Sequence, residues 1–219
     1  MIRLYSIIGV MMVTFISTLA VVRGLSRVSE SSAAAILRQG ADQCPGGRKN
    51  CLNGIWPGQT TIDQAAAILN ADSTFRPDGE FDLCWASNLG GTWHICLEKD
   101  GSGIVNTIII VPPWAALRLG EAIVMFGQPI KSILCNPAYA SLGTLSHIQG
   151  GNFVGGVLYF GKGVTVLAYN PWQPRALGLT PNMVILRLYY FLDSSGSNDA
   201  QGFPWIGFSR KTKQTGCGL

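Results

Sequence analysis

Residues 55 to 69 read Ile55-Trp56-Pro57-Gly58-Gln59-Thr60-Thr61-Ile62-Asp63-Gln64-Ala65-Ala66-Ala67-Ile68-Leu69. Pro57-Gly58 is a turn signal. Thr61, followed three residues later by Gln64, reads as a capping box, in which each side chain takes up a backbone N–H that the first helical turn leaves unpaired. Ile62, Ala65, Ala66 and Leu69 then recur at the spacing of one helical face. The stretch therefore predicts a short amphipathic helix whose apolar stripe needs a partner. Three β-rich runs follow and can supply it: Phe81 to Trp85, Trp93 to Glu98 and Ile104 to Val111, with Asp100-Gly101-Ser102-Gly103 turning between the last two.

The same order recurs downstream. Leu119, Ala122, Ile123 and Phe126 each lie 57 residues beyond their counterparts Ile62, Ala65, Ala66 and Leu69. Gly127 ends this second helix, and Pro129 prevents its continuation. Strand-like runs then occupy Ile130 to Cys135, Phe153 to Phe160, Val164 to Tyr169 and Met183 to Phe191. The expected fold is α+β, with two tandem halves over 44–112 and 113–219. Each half is a helix followed by an antiparallel meander, and the two pack as one domain.

Ile55-x-Pro-Gly-x-Thr before one helix, and Leu119-Gly-Glu through Phe126-Gly-Gln-Pro129 around the other, resemble motifs of the helix-plus-sheet modules of β-lactamase-inhibitor protein and BamE-type envelope lipoproteins. The resemblance covers these two segments. It implies helices packed on one face of an antiparallel sheet and a protein-binding role without catalysis. Ala71-Asp72-Ser73 departs from the Gly-x-Pro of that pattern, and no lipid-bearing cysteine follows the N-terminal apolar run, so no binding residue carries over.

The N-terminus holds a separate signal. Leu4 to Val22 is uncharged and mostly apolar, flanked by Arg3 and by Arg23 and Arg27. It has the length of a transmembrane helix, with cleavage as a signal peptide after Thr18-Leu19-Ala20 the alternative. The expected organisation is thus an anchor or signal peptide over 1–23, a stalk or juxtamembrane helix over 24–43, and a domain over 44–219 outside the cytoplasm. The protein would be single-pass at the cell membrane, or secreted if cleaved.

Six cysteines lie downstream of that run in a chain of 219 residues, an even set that fits a disulfide framework. Cys84 and Cys96 sit on neighbouring candidate strands and can bridge directly. Cys44 with Cys51 closes a Pro-Gly-Gly loop, and Cys135 with Cys217 would pin the tail. The C-x-x-C pairs of a structural zinc site are lacking, and no metal or cofactor is expected. Charged residues form only 13% of the chain, with a net charge of +4. No basic face with interleaved aromatics emerges, so nucleic acid is not expected as a partner.

Catalytic motifs fare poorly. Gly156 to Lys162 fits the start of a phosphate-binding loop, but Gly163 stands where Ser or Thr is required, and a hairpin turn is the simpler reading. Asp193 to Asp199 lacks the carboxylate of a calcium loop, with Pro204 in its place. Ser141 lacks the first glycine of a nucleophile elbow. His94 and His147 are the two histidines, and His94 neighbours Cys96. Asp78, Glu80 and Asp82 alternate, as a calcium site or an acid–base row would along an extended segment, though a solvated edge is the simpler reading. Trp56, Trp172 and Trp205 lie beside prolines and are the candidate binding residues.

The expected function is a membrane-tethered binding or adaptor domain that catalyses nothing, engaging an envelope protein or surface polymer. The alternatives are an exported hydrolase-like enzyme around His147 or the Asp78, Glu80, Asp82 row, and a structural subunit of a membrane complex.

Overall fold

A computed structural model describes residues 31–44, 46, 50–87, 92–135, 155–161, 163–169, 179–192, 203–205, 207–208 and 214–215. One compact unit spans 31–219. Its described helices are α1 (Ser32–Asp42), α2 (Ile62–Ala71) and α3 (Leu119–Phe126). The strands are β1 (Phe75–Pro77), β2 (Cys84–Ser87), β3 (Trp93–Lys99), β4 (Val105–Val111), β5 (Pro129–Cys135), β6 (Gly155–Phe160), β7 (Val164–Tyr169), β8 (Val184–Phe191), β9 (Phe203–Pro204) and β10 (Gln214–Thr215).

All the strands belong to one sheet, in the order β1-β2-β3-β4-β8-β7-β6-β5-β10, with β9 also paired to β5. Neighbours from β1 through β8 to β5 run antiparallel, and β10 adds to β5 in parallel. The expected tandem halves need correction here. Their two meanders join edge to edge through β4 and β8, where Ile108 faces Tyr190 and Ile110 faces Leu188, so one core serves both. The 57-residue offset holds for the helix faces only.

Strand alternation assigns the two faces of the sheet. On one, Trp85, Ile95, Ile110, Leu188, Val166 and Leu158 form a row from β2 to β6. All six belong to the main core, together with Ala33, Ala34 and Leu37 of α1, Ala65 and Leu69 of α2, and Leu119 and Ala122 of α3. The helices therefore cover this face. Cys84, Cys96, Ile109, Tyr189, Thr165 and Tyr159 form the row on the other face.

The helices start as their sequences require. Thr61 Oγ1 accepts from Gln64 N at 3.3 Å and Gln64 Oε1 accepts from Thr61 N at 3.1 Å. Ser31 Oγ accepts from Ala34 N at 3.1 Å and caps α1. That helix was expected as a stalk outside the domain, yet Ala33, Ala34 and Leu37 are each only 2% exposed. It is a core helix, because its alanines allow close approach and its apolar stripe meets the sheet.

The membrane expectation is also corrected. No helix among the described residues is long and apolar enough to cross a bilayer. The longest, α1, has 11 residues, about 17 Å of helix against a hydrocarbon core of about 30 Å. Residues 1–30, including the apolar run, lie outside those described. The tether, the single-pass placement, the membrane as partner and the membrane-complex subunit all rested on that span and are set aside.

Candidate functional site

Between α1, the end of α2 and the sheet lies a cavity of about 130 Å³, lined by Ile36, Leu37, Gln39, Gly40, Gln43, Leu52, Asn53, Asp72, Thr74, Phe75, Trp93, Ile95 and Ile110. Its depth and its mouth differ in chemistry. Leu37, Leu52, Trp93, Ile95 and Ile110 are 0–3% exposed and form an apolar floor. Gln39 and Gln43 are exposed, and Asp72, Thr74 and Asn53 are half-buried together with the apolar Ile36 and Phe75, so the outer lining is mixed.

Each wall has a local cause. Gly40 lies where α1 crosses the turn at Leu52 and Asn53, and a Cβ there would come within 2.6 Å of Asn53 Oδ1 and 2.7 Å of Leu52 Cδ1. Asn53 N donates to Gly40 O at 2.9 Å, closing the end of the helix. Asn53 itself has φ +51°, a conformation asparagine tolerates better than most residues. The Cys44–Cys51 disulfide, with Cα atoms 5.9 Å apart, ties the same turn to the helix end. Trp93 and Ile95 share one face of β3, and Ile110 faces Ile95 from β4.

Asp72 is the single charged residue among the described lining residues. It caps the end of α2, its amide donating to Ile68 O at 3.3 Å. Its Oδ1 accepts from Thr74 N at 3.0 Å and from Thr74 Oγ1 at 2.7 Å. This turn feeds the chain into β1 and fixes the carboxylate at the cavity mouth.

A second polar arrangement lies on the other face of the sheet. Asp78 Oδ2 is 2.9 Å from His94 Nδ1, with His94 35% and Asp78 12% exposed at the side chain. A hydrogen bond from Glu80 N, the bond to His94, and the charges of His94 and Arg76 hold the Asp78 carboxyl below its usual 3.8. The pair fixes the imidazole's orientation but stands apart from the cavity, since His94 alternates with Trp93 and Ile95 along β3 and points to the opposite face.

The candidates read from sequence are dispersed. Asp78, Glu80 and Asp82 do not form an extended row. The segment bends after Pro77, with Asp78 turned toward His94 while Glu80 and Asp82 are exposed. The extended row is corrected accordingly, and His147 and Ser141 lie outside the described residues. Trp56 sits half-buried in the turn before α2, its amide bonded to Thr60 Oγ1 at 2.8 Å. Trp205 packs against the main core and meets Phe208 edge-on at 5.4 Å. Trp172 and the loop 193–199 are outside the described residues. Cys84 and Cys96 are bonded across β2 and β3. Cys135 lies on β5, and Cys217 is outside the described residues. No group of metal-ligating side chains occurs among those described.

The lining residues Gln39, Gln43, Asn53, Asp72 and Thr74 were missed by sequence reading. No family model, curated protein or solved structure matches this chain.

Proposed function

We propose that this domain is a receptor for a small, largely apolar molecule seated between α1 and α2, and that it performs no chemistry on that molecule. The observation that carries this reading is the cavity itself, with its buried floor of Leu37, Trp93, Ile95 and Ile110 below a mixed outer lining that includes amides, a hydroxyl and a carboxylate. An apolar depth with a few placed polar groups is the usual build of a small-molecule site. Its size sets the scale of the ligand. An apolar cavity of about 150 Å³ accepts benzene, so one of about 130 Å³ takes a body of similar size, well below a nucleotide or a sugar chain. The His94–Asp78 pair lies across the sheet, which leaves Asp72 as the one titratable side chain among the described lining residues.

Toluene and isobutanol are suitable neutral probes. Saturable binding should raise the melting temperature of the native chain, and Ile36→Phe, which fills the cavity from α1, should remove that response while the variant melts no lower than the parent. Absence of saturable binding by either probe would defeat the reading.

A further inference from the structure

The cavity mouth carries an electrostatic asymmetry that narrows the ligand class, and the following rests on the receptor reading above. Two helices end there. From α1 the lining takes Ile36, Leu37, Gln39 and Gly40, followed by Gln43 just past the helix, and from α2 it takes the capping residue Asp72. Both helices thus end at the same opening, and the C-terminal end of a helix is the negative pole of its dipole. Proteins commonly place Lys, Arg or His in the last turn to balance that potential. Neither α1 nor α2 has a basic residue in its last turn. Asp72 adds a negative charge, and no cationic side chain among the described residues lines the cavity.

The carboxylate also has unused capacity. Its Oδ1 is engaged by the Thr74 amide and hydroxyl, whereas Oδ2 faces no cation among the described lining residues. An ionised carboxylate accepts at both oxygens, and a half-buried one beside two helix C-termini gains most from a positively charged donor.

We infer that the site takes a small primary amine: an apolar body seated on Trp93, Ile95 and Ile110, with an ammonium group at the mouth donating to Asp72 Oδ2 and to the nearby side-chain oxygens of Gln39, Gln43 and Asn53. A carboxylate or phosphate of the same shape would meet the two dipole ends and Asp72 with the wrong sign and is rejected.

The test is a calorimetric titration of the full chain with benzylamine, benzyl alcohol and benzoate, which share one ring and differ in charge. Benzylamine should bind at least about tenfold more tightly than benzyl alcohol, a difference of about 1.4 kcal/mol, and benzoate should not bind. Asp72→Asn keeps the acceptor for Thr74 and so keeps the turn. It should bring the amine to the affinity of the alcohol. Equal binding of amine and alcohol to the native chain, or an amine preference that survives in Asp72→Asn, would overturn the amine assignment and leave the receptor reading standing. Failure of all three to bind would overturn both.

Discussion

The backbone amide of Ser31 donates to Oε1 of Glu121 at 2.9 Å, linking residues 90 positions apart. The other carboxylate oxygen accepts from Arg118 N at 2.8 Å. One side chain therefore satisfies free amides at the starts of two helices and fixes α1 against α3. The bond holds the start of the helix whose later turns, from Ile36 to Gly40, line the cavity.

Glu121→Ala should lower the free energy of unfolding by about 1.5–3 kcal/mol, the range for hydrogen bonds to a charged group. Glu121→Gln retains a single acceptor oxygen and should lose less. Urea denaturation of the three proteins gives the ranking, and equal stability of all three would contradict it.

Tyr190 is fully buried, its hydroxyl has no hydrogen-bond partner among the described residues, and burial pushes its pKa upward. Its ring meets Phe126 at 6.1 Å, edge to face, so the ring belongs to the core while the oxygen is a cost. Tyr190→Phe should stabilise the fold by up to about 1–2 kcal/mol, by removing an unsatisfied polar group without leaving a cavity. A destabilised variant would show that the hydroxyl has a partner.

Acid should weaken the fold in a defined window. The Asp78 and Asp100 carboxyls are both held below 3.8, Asp78 chiefly by the Glu80 amide and His94, Asp100 chiefly by the Ser102 hydroxyl and the Ile104 amide. A carboxylate with a depressed native pKa stabilises the fold above its unfolded value, and that contribution disappears as pH falls through the native value. Stability should therefore hold steady from neutral pH down to about 4 and decline below it. Asp78→Asn should make that decline shallower. Melting curves across this range provide the check, and identical profiles would count against the His94–Asp78 pairing.

The two described disulfides should separate structure from binding. Cys44–Cys51 closes a loop with a separation of 7 residues next to Leu52 and Asn53 of the cavity. Replacing both cysteines with alanine should cost about 2–3 kcal/mol and weaken benzylamine binding. Cys84–Cys96 faces the other side of the sheet, so its double alanine variant should lose stability with little change in affinity. A reversed pattern of affinities would misplace the site.

Local structure was the legible part of this sequence. The Thr61–Gln64 capping box, the Gly127 stop at φ +90° and the Gly163 turn follow from residue chemistry a few positions apart. At Gly163 a Cβ would approach Phe191 O within 2.4 Å, so the phosphate-loop likeness yields to a hairpin that only glycine fits. The β4–β8 junction was not legible, because antiparallel edges of alternating apolar residues carry no mark of their partner. Nor was α1 readable as core, since Ala33, Ala34 and Leu37 gain their role only from the sheet beneath them. β1 escaped notice because it is 3 residues long and ends in Pro77. The cavity was hidden for the same reason as the junction. Its residues come from α1, the 50–55 turn, the end of α2 and two strands, and only the fold gathers them.

The most direct measurement is methyl NMR of the isoleucine and leucine side chains during titration with benzylamine. The two faces of the sheet carry separate reporters. Shifts concentrated at Ile36, Leu37, Leu52, Ile95 and Ile110 would place the ligand between α1 and the sheet, as the account requires. Shifts centred instead on Ile109, Ile133 and Leu167 of the opposite face, or no saturable shift at any methyl group, would contradict it.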